Sequence, residues 1–538
     1  MNNRFDYIIA GAGSAGAALA ARVAENGKHS VLLIEAGGKP DNIWFKVPLG
    51  IGKLLHREKY VWKFFTEEIK GINQRRVYMP QGRILGGSST VNGMVYVRGL
   101  PSKFDEWASN GCAGWSFKDV LPYFKRMEDF PGGDPAYRGV GGPFKITEIK
   151  RRDVLSEAFR ESCLQAGYPA VADYNAVNGE GVGYLQLNTR NGLRESTVTS
   201  YLDKVRKNKN LEIRSNTLVE KILVKNKQAI GVRLSTKGGN AYEVYADKEV
   251  ILSAGAINTP KLLELSGIGN AALLTKLGIP VVHDLPGVGE NFQDHINVRA
   301  AYESKGSLTI NDALNSKWKG FQLGLRYILH RDGLLATPSA TIQAMLRSDS
   351  SLKEPDIKIQ LVHLSEQGRF GVAHNSGVDK FSGFSIGAYQ LFPKSVGTVH
   401  IKSALHTDDP AIRPNYLDHP EDVDTMLKAV KVARHVATQP ALKRFVLQEL
   451  RPGVNMTNNE ELVSYMREVG QTTYHGIGTC KMGNDPMSVV DHKLRVHGIG
   501  NLRIADASVM PILVASNTNA AAIMIGEKAA DIILEKSL

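Results

Sequence analysis

The sequence predicts an α/β (α+β) chain: a Rossmann-like dinucleotide-binding domain interleaved with a second domain built on an antiparallel sheet. Three observations carry this. A glycine-punctuated turn, Gly11-Ala12-Gly13-Ser14-Ala15-Gly16, follows an apolar run and opens an alanine-rich segment. A second stretch, Gly82 to Gly93, gathers glycines, serines and an asparagine with no apolar face to bury, so its backbone amides can approach something flat or anionic. Between 211 and 249 the pattern alternates, and from about 300 to 465 the glycine-rich signals disappear.

Each element follows from its local pattern. Phe5 to Ala10 reads as a buried strand, Ala15 to Glu25 as a helix, and Ser30 to Ile34 as a second buried strand that ends at Glu35. Tyr7 to Ala21 has the apolarity of a signal-peptide core, but the glycines and the acid-terminated second strand fit a nucleotide turn better. Lys39 to Met79, rich in aromatics and charges, is expected to wrap over this βαβ unit. Leu211-Glu212-Ile213-Arg214 and Val219 to Val224 alternate, and Gly238-Gly239-Asn240 marks a turn, which suggests an antiparallel meander. Val250-Ile251-Leu252 runs into Ser253-Ala254-Gly255-Ala256, and Thr259-Pro260 marks the expected start of the next helix. Asn315 to Arg331 is amphipathic, with Trp318, Phe321, Leu325, Ile328 and Leu329 on one side. Core packing is the expected use of that face, and membrane contact the alternative. With no repeat and no low-complexity linker, the domains are expected to interleave. Residues 1–154, 201–299 and 466–538 form the nucleotide domain, and 155–200 and 300–465 the substrate-covering domain.

Composition narrows the function. At 538 residues the chain exceeds one simple core. Cys112, Cys163 and Cys480 are scattered, odd in number and without metal spacing, which argues against a disulfide framework and predicts no metal site. The net charge of +12 is densest at Lys145 to Arg152 and Lys204 to Lys209. Solvated loops explain those runs, and attraction to an acidic membrane surface or acidic electron acceptor is the sharper reading. Nothing pairs them with exposed aromatics or a reader motif, so no nucleic acid is expected. A cytoplasmic protein is expected, with peripheral membrane association left open.

The first turn has a physical job. Gly11 permits the tight turn, Gly13 lets backbone approach a pyrophosphate, and Gly16 lets helix pack on strand. The helix start at Ser14 and Ala15 then offers free amides to the phosphates, while Glu35 at its strand end can accept from ribose hydroxyls.

The glycine fingerprint does not separate FAD from NAD. Gly82 to Gly93, Ser253 to Gly269 and Leu285 to His295 resemble successive signatures of the glucose–methanol–choline oxidoreductases. So do Thr473-Tyr474-His475-Gly476-Ile477-Gly478-Thr479-Cys480-Lys481-Met482-Gly483 and Asn501 to Pro511, and the likeness leans toward choline-dehydrogenase-like alcohol dehydrogenases. The resemblance implies FAD and the oxidation of a small-molecule alcohol to an aldehyde or ketone. Oxygen or a quinone or cytochrome would accept the electrons. It implies His475 as the base facing the flavin and Asn519 as the second active-site residue. Neutral imidazole suits hydroxyl deprotonation, and an amide suits a substrate-oxygen anchor. His295 and His497 are expected to be structural.

The same resemblance places Asn92, Gly93 and Val95 along the flavin, Val219 near the adenine, and Asp506 and Ala507 near the pyrophosphate or ribityl chain, with Arg83, Gly87 and Ala254 as further cofactor-binding residues. Some family members attach FAD through a histidine in the glycine-serine loop. Val91 stands there in this chain, which implies non-covalent FAD. Two departures touch the site. Gly476 replaces a common proline, and Asn519-Ala520-Ala521-Ala522 replaces a common Asn-Ala-Pro-Thr. They leave open an alternative, an FAD-containing lyase or photodecarboxylase on the same fold. A NAD-dependent Rossmann enzyme and a non-catalytic binding protein are further alternatives.

Overall fold

The computed structural model describes residues 3–176, 179–367 and 377–536. The apolar N-terminal run forms strand Arg4–Ala10, the alanine-rich segment helix Ser14–Glu25, and the next run strand Val31–Ile34. Their sheet is ordered Leu211–Arg214, Val31–Ile34, Arg4–Ala10, Tyr242–Leu252, Gln228–Thr236, Thr217–Lys225, with Leu502–Ile504 also paired to Tyr242–Leu252. Every pair on the Val31 side, and the Leu502 pairing, is parallel. The strands from 217 to 252 form the antiparallel flank. The central strands are buried on both faces, as a helix-covered parallel sheet requires, and are accordingly unbroken apolar runs.

Helix Asn519–Ile533 lies against helix Ser14–Glu25. The approach is close enough that a Cβ on Gly526 would sit 2.3 Å from the Ala15 carbonyl oxygen. Beside it, the fully buried Glu527 carboxylate is gripped by Arg22 and Arg126, each within 3.0 Å, and accepts from the Tyr201 hydroxyl at 2.7 Å.

The second sheet is antiparallel throughout, in the order Val446–Arg451, Ile296–Ser304, Gly383–Gln390, Ile357–Val362, Ala340–Leu346, Gly181–Tyr184. Helix Pro420–Thr438 packs on one face through Ala429, Ala433 and Val436. Strand Ile296–Ser304 begins within the range expected for the nucleotide domain, so the sheet takes in residues on both sides of that expected boundary.

Three sequence expectations need correction. Leu211–Arg214 is not part of the meander but pairs parallel with Val31–Ile34. A four-residue alternation does not distinguish a meander strand from a parallel edge. The helix after Leu252 starts at Gly255, so Pro260 lies inside it. Proline cannot donate to the Ala256 carbonyl one turn back, and the Thr479 hydroxyl donates to that oxygen at 2.6 Å instead. Helix Lys317–His330 forms as expected, but its apolar face is not in the core. Trp318, Phe321, Leu325, Ile328 and Leu329 are 66%, 59%, 45%, 65% and 65% exposed. Periodicity shows that a helix has an apolar face, not what covers it.

Candidate active site

A cavity of about 1350 Å³ lies between the two sheets. Its nucleotide side is lined by Gly11, Gly13, Ser14, Ala15, Glu35, Gly87, Asn92, Gly93, Val95, Val219, Ala254, Asp506 and Ala507. Gly11 has φ +109°, and a Cβ there would meet the Ser253 carbonyl oxygen at 2.3 Å, so the turn requires glycine. Gly16 is not at the cavity wall. A Cβ on it would lie 2.0 Å from the Gly11 carbonyl oxygen, which makes it the contact that seats the helix on the turn. Gly87 abuts Gly13, so the two glycine-rich stretches form one cradle.

Glu35 is buried at the end of its strand, with its two oxygens accepting from the Ala12 and Gly37 amides at 3.2 and 2.9 Å. Burial pushes its carboxyl up to about 7. Asp506 is held at three points: Oδ2 accepts from the Gly255 amide and the Thr259 hydroxyl, and Oδ1 from the Ser508 amide. Burial raises its carboxyl as well. Arg83 departs from expectation. It does not line the cavity, because its guanidinium lies over the Trp62 ring at 4.4 Å and Trp62 forms the wall there.

Sequence reasoning missed Arg194. This fully enclosed guanidinium has no carboxylate partner among the described residues. Its Nη1 donates to Asn92 Oδ1 at 3.0 Å, while Nε and Nη2 have no partner among the described residues. Burial lowers it to about 9. A glycine cradle, an exposed helix start and a cation held behind Asn92 fit an elongated dianionic dinucleotide such as FAD.

His475 reaches the cavity from a loop fixed at both flanks. Its backbone amide donates to Asp294 Oδ1 at 2.8 Å, and Asp294 Oδ2 accepts from Thr472 and Tyr416 hydroxyls. The preceding Tyr474 has φ +65°, a sparsely populated conformation for a bulky residue. Gly476 is explained by packing: a Cβ there would lie 2.8 Å from the Phe292 ring.

Asn519 lines the cavity together with His475. Its Oδ1 accepts from Ser14 Oγ at 2.7 Å, joining the C-terminal helix to the nucleotide turn. Asn517 also lines the cavity, with Nδ2 2.8 Å from His475 Nε2. The other ring nitrogen, Nδ1, lies 2.8 Å from Thr473 Oγ1 and 3.0 Å from His295 Nδ1. His295 Nε2 faces the Leu391 carbonyl at 2.9 Å, so it carries a proton and leaves His295 Nδ1 as an acceptor. His475 therefore carries its hydrogen on Nδ1 and presents the Nε2 lone pair toward Asn517. Burial holds the His295 imidazole down to about 4, keeping it neutral. His497 lies apart, against the Gly483 carbonyl.

On the side of the second sheet the cavity wall is largely apolar, including Ile310, Leu323, Leu334, Pro338, Val362 and Val378. Glu366 lies there too, and its carboxylate is matched by Arg299 at 3.1 Å. Ala522 lines the cavity, and Ala521 is buried in the same helix.

Comparison with known proteins places this architecture. Family models described as GMC oxidoreductase match residues 5–297 and 393–526. The oxygen-dependent choline dehydrogenase of Photobacterium profundum is 40% identical over 99% of this chain and 94% of its own length. That of Vibrio vulnificus is 39% identical over 100% and 95%. Among solved structures, pyridoxine 4-oxidase from Mesorbium loti superposes with a TM-score of 0.89 at 30% identity, over 99% of this chain and 100% of that one. An Aspergillus oryzae formate oxidase superposes with a TM-score of 0.91 at 26% identity, over 99% and 98%. The paired family models, the full-length relatives and the shared fold all agree: the chain belongs to the GMC oxidoreductases, FAD-dependent enzymes acting on CH–OH donors.

Proposed function

We propose that this chain oxidises a small alcohol to an aldehyde or ketone, with His475 as the base and Asn517, rather than Asn519, as the oxygen anchor. The observation that carries the assignment is the 2.8 Å pairing of Asn517 Nδ2 with His475 Nε2 at the cavity wall. An alcohol hydroxyl inserted between them accepts from the Asn517 amide and donates to His475 Nε2. Bound FAD supplies the acceptor for the hydride that leaves the same carbon. His475 then holds the proton, steadied from behind by Thr473 and His295. Replacing His475 by Ala should lower kcat/KM by about 10²–10⁴-fold with flavin content retained. Equal turnover in the variant would refute the assignment.

The FAD is held without a covalent bond. Val91, at the cavity wall where some relatives in this family place a histidine, has no atom that could form one. Acid precipitation should therefore release all the flavin into the supernatant. Oxygen is the acceptor favoured by the names of the full-length relatives. Reduced protein should recolour promptly on admission of air, and slow recolouring would favour a quinone or cytochrome.

The exposed face of helix Lys317–His330 supports peripheral attachment to an anionic bilayer. Among the described residues no helix is long and apolar enough to cross one. This helix bears Lys317, Lys319 and Arg326, followed by Arg331, and no acidic residue. Asp312 and Asp332, outside it, pair with Lys319 and Arg326. An apolar strip flanked by cations is the pattern of a helix lying in the headgroup layer. Its inner residues Gly320, Leu323 and Gly324 line the cavity, so docking would set the cavity against the lipid. Holoprotein should float with phosphatidylglycerol-containing vesicles and not with pure phosphatidylcholine. Trp318→Ser with Ile328→Ser should abolish flotation, and a lipid-independent dimer lost in that variant would contradict the reading.

A further inference from the structure

Behind Asn517 lies a charge that neither the sequence pattern nor the reaction predicts. Lys358, on strand Ile357–Val362, is 0% exposed. Its Nζ donates to Ser516 Oγ at 3.0 Å and to Asn517 Oδ1 at 3.3 Å, and lies 5.6 Å from the centre of the Tyr389 ring. Among the described residues no carboxylate pairs with it. A buried lysine without a counter-ion is costly and rarely kept without a use.

Two consequences follow from this placement. Burial lowers the Lys358 amine to about 7, and the ammonium form present below that pH donates and never accepts, so it fixes Asn517 with Oδ1 toward itself and Nδ2 toward the reacting oxygen. Ser516 Oγ, which accepts from Lys358 and lies 3.0 Å from the Tyr389 hydroxyl, supports the same orientation from 3.2 Å. Hydrogen bonds then run in one direction, from Lys358 through Asn517, His475 and His295 to the Leu391 carbonyl. The second consequence is electrostatic. The ammonium is one hydrogen bond behind the residue that holds the alcohol, in a low-dielectric wall where a second cation is repelled. On that side of the cavity Glu366 is already matched by Arg299, and the remaining wall is largely apolar.

We propose that Lys358 is a positioning residue that orients Asn517 and, through its charge, restricts the site to uncharged apolar alcohols, excluding quaternary ammonium alcohols such as choline. The inference rests on the alcohol-oxidation reading above. It separates this chain from what the names of its full-length relatives state about them.

The test compares choline with its uncharged isostere 3,3-dimethyl-1-butanol as reductants of the holoenzyme. At about pH 6, where Lys358 carries its charge, the wild type should favour the isostere in kcat/KM by about tenfold. Lys358→Gln keeps a donor to Asn517 but removes the charge, so it should hold kcat on the isostere while the discrimination collapses toward unity. Lys358→Met removes both and should lower kcat on the isostere by about tenfold, the scale of a lost proton-transfer alignment. A wild type that favours choline, or a Lys358→Gln variant with unchanged discrimination, overturns the charge filter. Unchanged kcat in Lys358→Met overturns the positioning role. Flavin that bleaches with neither alcohol, nor with any other in an aliphatic and aromatic panel, overturns the alcohol-oxidation reading and this inference with it.

Discussion

At the scale of single residues, the chemistry depends on which hydrogen each ring nitrogen carries. His295 settles that for His475, because its Nε2 faces a carbonyl and its Nδ1 must then accept. The buried neutral His295 also predicts a pH dependence. Its folded value near 4 lies below the ordinary value near 6.5, so between those limits the unfolded chain binds the extra proton. Stability is therefore fully present above about pH 6.5 and is lost as pH falls toward 4, by about 3 kcal/mol from this group. Denaturant unfolding of His295→Gln should show a correspondingly shallower acid slope; an identical slope would show that other groups dominate. His475 and the nucleotide glycines were legible from sequence because each sits in a fixed local motif. Asn517 was not: two asparagines, Asn517 and Asn519, flank Thr518 and both line the cavity, and only the local fold pairs Asn517 with His475 and Asn519 with Ser14. Lys358 was less legible still. It sits in an apolar strand, and the sequence around it carries no hint of Asn517.

At the scale of elements, the C-terminal helix is held by close backbone approach and by a buried charge cluster. Removing the carboxylate in Glu527→Ala leaves Arg22 and Arg126 facing an empty site and should cost about 3–5 kcal/mol. Urea denaturation checks this, and a loss below about 1 kcal/mol would show the pairs to be dispensable. Gly476→Pro would restore the residue common in the family, yet its ring would enter the space of Phe292. It should lower thermal stability and turnover together, whereas the double change with Phe292→Ala should recover part of the loss. Strands buried on both faces were legible because such strands are continuous apolar runs. The parallel pairing of Leu211–Arg214 and the proline inside Gly255–Leu265 were not, since both depend on partners distant in sequence.

At the scale of the whole molecule, two sheets built from interleaved stretches of chain enclose one cavity. The first sheet supplies glycine turns and buried carboxylates to the nucleotide side. The second supplies Lys358, Tyr389 and an apolar wall to the substrate side. The division into two sheet types was readable from the contrast between glycine-rich and glycine-poor stretches. The outward turn of the Trp318 face was not, because amphipathicity is the same whether a helix faces a core or a lipid surface. In the proposed reaction an alcohol delivers its proton to His475 while reducing the bound flavin. The most direct measurement is the visible spectrum of the purified protein mixed without air with an aliphatic alcohol, for wild type and His475→Ala. The flavin band should bleach in the wild type and persist in the variant over the same time. A band that bleaches equally in both, or never bleaches with any alcohol tried, would contradict that reaction.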